Sequence, residues 1–193
     1  MRSVIVINSV TLDGVMQAPA RPDEDTRDGF QHGGWANDYV DADRQRIMAE
    51  GQARPTELLL GRRTYEDFFK VWPSRKDNPY TEILNNTQKY VASRTHQGPL
   101  PWQNSTLLHG DAADAVATLK QDGGADLVVL GSGELVRSLL EHDLVDGFRL
   151  LIHPLVLGSG RRMFADHGTL ARFRLERSDC TSTGVVVATY GRR

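Results

Sequence analysis

The chain has 193 residues, 39% of them hydrophobic, with 23 Lys plus Arg against 25 Asp plus Glu. That length suits one domain whose core needs neither metal nor disulfide, and a formal net charge of −2 gives nucleic acid or an anionic membrane no general attraction. Cys180, the single cysteine, excludes an internal disulfide and a cysteine-built metal site and reads as a small buried residue; no apolar run approaches the roughly 18 residues of a membrane span, so a cytoplasmic protein is expected.

Val4 to Ile7 is a β-branched run suited to a central strand buried on both faces, ending at Asn8-Ser9 and too short for a signal peptide. Thr11-Leu12-Asp13-Gly14-Val15-Met16 follows, and then a segment rich in proline, charge and glycine runs to Gly34 with no regular element expected. A loop of that length beside a central strand suits a flap over a site. Asp13, before Gly14, is either part of that flap or a simple turn former. Val40, Ile47 and Met48 mark one face of a helix that reaches Glu50, with Asn37 or Asp38 as its cap. As a carboxylate near the ligand end of a sheet, Asp38 has a second reading, an anchor for a polar heterocycle.

Thr56 to Leu60 is the next strand and runs straight into Gly61-Arg62-Arg63-Thr64. Arginine offers phosphate a charged bidentate fork, and Thr64 either caps the following helix or bonds a phosphate oxygen. After a Trp72-Pro73 break and a short helix around Thr81 to Asn86, the strand Lys89 to Ala92 ends in Ser93-Arg94-Thr95, a second set of phosphate-binding types. Ser105 to His109 reads as a strand and Asp111 to Lys120 as a helix, closed by Gly123-Gly124.

The strand Leu127 to Leu130 then enters Gly131-Ser132-Gly133 and a helix from about Glu134, with Leu135, Val136, Leu139 and Leu140 as its apolar stripe. Glycines at 131 and 133 remove side chains where backbone approaches a ligand, and the helix start presents unpaired N–H groups, a third strand end suited to phosphate. A Rossmann fingerprint does not fit, because Val136 stands where a third glycine belongs and the turn lies in the second half of the chain. Leu150 to Leu157 is a further buried strand, on which His153 reads as a satisfied core histidine, with a catalytic acid as the second reading. Phe173 to Arg177 and Val185 to Tyr190 form an antiparallel pair closing the sheet's edge, and the apolar run Val185-Val186-Val187 on that edge leads us to expect a homodimer.

Together these motifs resemble the dihydrofolate reductase-like family, in particular the reductase domain of bacterial riboflavin biosynthesis and its stand-alone relatives, over nearly the whole chain. The resemblance implies an α/β fold with a central, mostly parallel sheet flanked by helices and an antiparallel C-terminal strand pair, in one domain over residues 1–193. It implies NADPH-dependent hydride transfer to a small heterocyclic or ribose-phosphate-type substrate, as in 5-amino-6-(5-phosphoribosylamino)uracil reductase or dihydrofolate reductase. Thr11 to Gly14 then matches the loop beside the nicotinamide, with Ser9 and Met16 as cofactor contacts. Gly61, Arg62, Arg63 and Thr64 hold cofactor phosphates, Ser93, Arg94 and Thr95 the adenosine 2′-phosphate, and Gly131, Ser132, Gly133, Glu134 and Leu135 the pyrophosphate. Asp38 and Asp13 are the candidate catalytic carboxylates, with Asp41 an alternative to Asp38. Leu150 to Gly160 is more similar to the riboflavin reductases, whereas Gly131-Ser132-Gly133 departs from the acidic residue and two glycines that they carry at this turn. No zinc spacing, P-loop or Ser-His-Asp order competes, so no metal, nucleic acid or membrane partner is expected, and water can deliver the proton. The alternative is a nucleotide-binding regulatory or salvage module that keeps the fold without catalysis.

Overall fold

The computed structural model describes residues 1–50, 55–76, 78, 80–164 and 166–193, and within them the chain forms eight strands and five α-helices. The strands are β1 (Val4–Thr11), β2 (Thr56–Gly61), β3 (Lys89–Ala92), β4 (Ser105–Leu108), β5 (Asp126–Leu130), β6 (Gly147–His153), β7 (Phe173–Cys180) and β8 (Val186–Arg192). They lie in the order β4-β3-β2-β5-β1-β6-β8-β7, with β1 to β6 parallel and β8 antiparallel to both of its neighbours. Helices α1 (Ala42–Glu50), α2 (Arg62–Val71), α3 (Tyr80–Asn86), α4 (Ala112–Gln121) and α5 (Gly133–Glu141) cover the sheet.

Strand side chains alternate between faces, so a strand covered on both sides reads as an unbroken apolar run. Leu59, Leu127 and Val129 join Val4 and Val6 against Val116 of α4 and Val136 and Leu139 of α5. Leu58, Leu60 and Val128 face the other way, toward Tyr65 of α2 and Trp102. Ile7 belongs to this second face and also meets the cluster of Ile47, Leu151 and Val187, which places α1 beside α2. The register pairs Ile7 with Leu130, Thr11 with His153 and Gly61 with Ala92. One edge of the parallel sheet therefore gathers the carboxyl ends of its strands, the usual ligand end of an open α/β sheet.

Several boundaries differ from the sequence expectation, each for a tertiary reason. β1 continues through Asn8-Ser9 to Thr11 because β6 supplies pairing partners that far. Residues 37–39 form a separate 3-10 turn, Val40 is exposed, and α1 starts at Ala42. Its cap is Asp41, which accepts the Arg44 N–H at 2.7 Å and also binds the β7–β8 turn through Thr183 N–H at 3.0 Å and Ser182 Oγ at 3.0 Å. β6 stops at His153, where Pro154 has no N–H for the ladder. Leu155 and Leu157 turn instead onto Val15, Ala18, Phe30, Trp35 and Ala36, so the segment before Gly34 is a packed loop with a small core of its own. Val185 and Val187 are buried, with β8 flanked by β6 and β7; the sheet's edge is β7, largely exposed and carrying Arg174, Glu176, Arg177 and Asp179. That removes the apolar edge on which the dimer expectation rested. Cys180, at the end of β7, is exposed rather than buried. No helix among the described residues is long and apolar enough to cross a membrane.

Lys89 begins β3 fully buried. Its ammonium donates to the carbonyls of Leu84 (2.7 Å) and Thr87 (2.6 Å) at the end of α3 and stands 4.5 Å from the Trp102 ring centroid. Burial pulls the ammonium down to about 8, and helix-end carbonyls and a ring face are the partners that offset it. Lys89→Met leaves those carbonyls without a donor, and urea denaturation should show a loss of about 1–3 kcal/mol in unfolding free energy. An unchanged midpoint would show that the ammonium is dispensable there.

Candidate functional site

The turn between β5 and α5 is held from two sides. Asn8, buried on β1, accepts the Gly131 N–H at Oδ1 (2.7 Å) and donates from Nδ2 to the Gly131 carbonyl (3.1 Å). From the other side, Ser132 Oγ accepts the Gly61 N–H at 2.9 Å, and the Ser132 N–H donates to Thr64 Oγ1 at 3.2 Å. Gly131 and Ser132 are both left-handed, with φ of +57° and +55°, and a Cβ at Gly131 would stand 3.3 Å from Thr64 Oγ1. A Cβ at Gly133 would stand 2.8 Å from Met16 Sδ. A side chain at 131 would press on Thr64, and one at 133 would have to move the Met16 side chain. The turn spends its N–H groups on Asn8 and Thr64, and among the described residues those of Gly133, Glu134 and Leu135, in the first turn of α5, keep no acceptor. The Leu135 side chain lies in the core, so only its N–H can meet a ligand.

At the end of β2, Gly61 occupies the cap position of α2 and Thr64 sits in the helix, its hydroxyl turned to Ser132 rather than capping. Arg62 folds back onto Glu66 of the same helix at 3.0 Å. Arg63 leans toward β5, with Nη1 3.6 Å from Glu134 Oε1. Beyond the neighbouring β3, Ser93 Oγ accepts the N–H groups of Thr95 (3.2 Å) and His96 (3.0 Å), closing a tight turn that leaves Arg94 and Thr95 exposed. Arg63 and Arg94 each lie two residues past a paired position, Gly61 and Ala92.

The loop after β1 is tied to the loop after β6. Asp13 takes the Thr11 hydroxyl at 2.5 Å and the N–H groups of Leu157 (3.2 Å) and Gly158 (2.9 Å), while Val15 pairs with Arg162. The Thr11 hydroxyl, with the two N–H groups adding to it, holds the Asp13 carboxyl below the usual carboxylate range. Asp13 is therefore ionised at neutral pH, a strut between loops with no proton to give. Gln17, also buried, accepts the Arg161 N–H at 2.9 Å and donates to the carbonyls of Asp25 and Arg27, both at 3.1 Å. In this way it brings Arg27 and Arg161 to the start of α5, where their Nη1 atoms stand 3.9 and 3.6 Å from Glu134 Oε1. Sequence reasoning passed over Asn8, Gln17, Arg27 and Arg161; a lone amide at the end of a β-branched run was the one visible signal.

Asp38 is exposed on the 37–39 turn with no hydrogen bond or ion pair among the described residues, whereas Asp41 is held well below the usual range by the Arg44 N–H and the Thr183 contacts. Ser9 lies on the α1 and α2 face of β1. His153 is fully buried, edge-on to the Trp35 and Tyr39 rings at 5.0 and 5.5 Å, with Nδ1 donating to the Leu151 carbonyl at 3.0 Å. Nε2 faces the Val10 carbonyl without a well-formed hydrogen bond, so this core histidine is only half satisfied.

The profile of a family described as the RibD C-terminal domain matches residues 2–187. The uncharacterised Bacillus subtilis protein YyaP is 31% identical over 138 residues, covering 69% of this chain and 72% of that one. A Shewanella sp. PV-4 protein assigned to riboflavin biosynthesis superposes with a TM-score of 0.68 at 21% identity, covering 99% of each chain. Dihydrofolate reductase from Enterococcus faecalis, solved with NADP(H), gives a TM-score of 0.60 at 13% identity, covering 99% of this chain and 96% of that one. At those identities the two structures share the fold.

Burial holds His153 below the ordinary histidine value, about 6.5. Above that pH both folded and unfolded chains carry it neutral, and as pH falls through it the unfolded chain takes the proton first, so stability is lost toward acid. The melting temperature of His153→Phe, which keeps the ring contacts, should fall less between pH 7 and pH 5 than that of the wild type. Parallel pH profiles would clear His153 of the effect.

Proposed function

We propose a function from one premise: the chain belongs to the RibD C-terminal domain family and shares its fold with dihydrofolate reductase. That places it in a reductase-like family; beyond this we take it to be an NADPH-dependent reductase of a small heterocyclic or ribose-phosphate-type substrate, acting as one domain. The observation that carries the cofactor is the prebuilt turn of Gly131-Ser132, whose own donors are spent internally while the first N–H groups of α5 have no acceptor among the described residues. Arg27 and Arg161, whose Nη1 atoms stand 3.9 and 3.6 Å from Glu134 Oε1, add positive charge suited to an anionic group there.

In this reading the N–H groups of Gly133, Glu134 and Leu135 receive the pyrophosphate, with Arg63 turned to the same end by Glu134, and Ser93, Arg94 and Thr95 receive the 2′-phosphate. Gly61, Thr64, Gly131 and Ser132 shape the surface, and Ser9 and Met16 line the nicotinamide end. When bound, the nicotinamide supplies a hydride to a C=N or C=O carbon, and the protein contributes position and electrostatics. Asp38 is the carboxylate left available to a substrate, Asp41 being consumed as a cap and Asp13 as a strut. Neither the ionised Asp13 nor the buried His153 offers a proton, so water delivers it.

Arg94→Ala should weaken NADPH binding by about 10- to 100-fold, the size of one or two charge-assisted hydrogen bonds, and change NADH little. Titration of both cofactors by nicotinamide fluorescence checks this, and an equal response of the two would remove Arg94 from the 2′-phosphate. NADPH binding without oxidation across dihydropterin, aminouracil ribose phosphate and small carbonyl substrates would favour the nucleotide-binding module over the enzyme.

A further inference from the structure

We infer that Arg27, Arg63 and Arg161 form an anion clamp at the start of α5 that Glu134 fills in the free protein as a stand-in, and that the cofactor's pyrophosphate displaces the Glu134 carboxylate. The pyrophosphate identity rests on the nucleotide-binding reading above. Among the described residues, these three guanidinium groups come from three separate segments and stand 3.9, 3.6 and 3.6 Å from a single oxygen, Glu134 Oε1. Those separations exceed a hydrogen bond, so the carboxylate collects the attraction of three charges without a short bond to any of them. Its side chain is 72% exposed, which leaves it free to swing away.

Two arginines are held ready for a larger anion. Asp25 accepts from Arg27 Nε at 2.7 Å, and Asp28 accepts from Arg161 Nη2 at 2.9 Å, so each guanidinium is oriented by a carboxylate of the loop before Gly34. Arg27 Nη1 and Arg161 Nε are nevertheless enclosed with no hydrogen-bond acceptor among the described residues. The Gln17 side chain binds the backbone of both segments, so the two forks are set together rather than on independent loops. Pyrophosphate offers more charged oxygens than one carboxylate, spread over a longer group, and can meet guanidinium groups and the first N–H groups of α5 at once. Glu134 competes for that place and repels its occupant. The helix gains from an acidic first turn, which gives Glu134 a use when no anion is present.

The experiment is calorimetric titration of inorganic pyrophosphate and, separately, of NADPH into wild type, Glu134→Gln, Arg161→Gln and Arg161→Lys. Glu134→Gln should bind both ligands about tenfold more tightly, and Arg161→Gln should bind both about tenfold more weakly, each step being worth roughly one charge-assisted hydrogen bond. Arg161→Lys keeps the charge and should recover part of the loss, which separates electrostatics from misfolding. Unchanged or weaker pyrophosphate binding by Glu134→Gln would overturn the clamp. Tighter pyrophosphate binding with no NADPH binding by any variant would keep the clamp and sink the cofactor reading. Tighter pyrophosphate binding with NADPH binding unchanged in Glu134→Gln would reject the clamp as the cofactor's pyrophosphate site.

Discussion

The reciprocal pair of hydrogen bonds between the Asn8 amide and the Gly131 peptide is the interaction on which the site depends. A buried side-chain amide is costly without partners, and here the Asn8 amide and the half-buried Gly131 peptide each supply the donor and the acceptor the other lacks. Satisfying both admits one orientation of the turn, with Gly131 and Ser132 left-handed. That orientation decides where α5 starts and which of its N–H groups stay open. Ser132 extends the lock to β2 through Gly61 and Thr64, so the ends of three adjacent strands, β1, β5 and β2, become one surface.

A second set of contacts brings loops to that surface. The chain leaving β1 and the chain leaving β6 pair through Val15 and Arg162, and α5 secures the latter because Arg137 donates to the Arg162 and Met163 carbonyls. Apolar packing of Phe30, Trp35, Leu155 and Leu157 gives the joined loops a core of their own. An irregular segment with that many internal partners can hold a charged side chain in place, which a solvated loop of the same composition cannot.

Carboxylates divide according to what the backbone asks of them. Asp13 and Asp41 accept N–H groups at a loop junction and a helix start, and those hydrogen bonds stabilise their charged form. Asp25 and Asp28 orient arginines. Asp13 and Asp41, held in their charged form, make poor proton donors.

The sequence alone determined the order of strands and helices from β2 to β5, the apolar faces and the phosphate-type residues at Gly61 to Thr64, Ser93 to Thr95 and Gly131 to Glu134, because these follow from local composition and periodicity. Tertiary structure decided what those residues touch. Arg62 turned to its own helix, and Arg63 to Glu134, the latter contact depending on the strand order β2-β5-β1, in which β5 arrives from farther along the chain. The end of β1, the true cap Asp41, the burial of Val185 and the exposure of Cys180 likewise waited on β6, β7 and β8. Apart from the lone amide of Asn8, these residues were hidden for one physical reason: the roles of Asn8, Gln17, Arg27 and Arg161 are hydrogen bonds and ion pairs between distant stretches of the sequence, or inside a loop with no period, and no local pattern contains both partners.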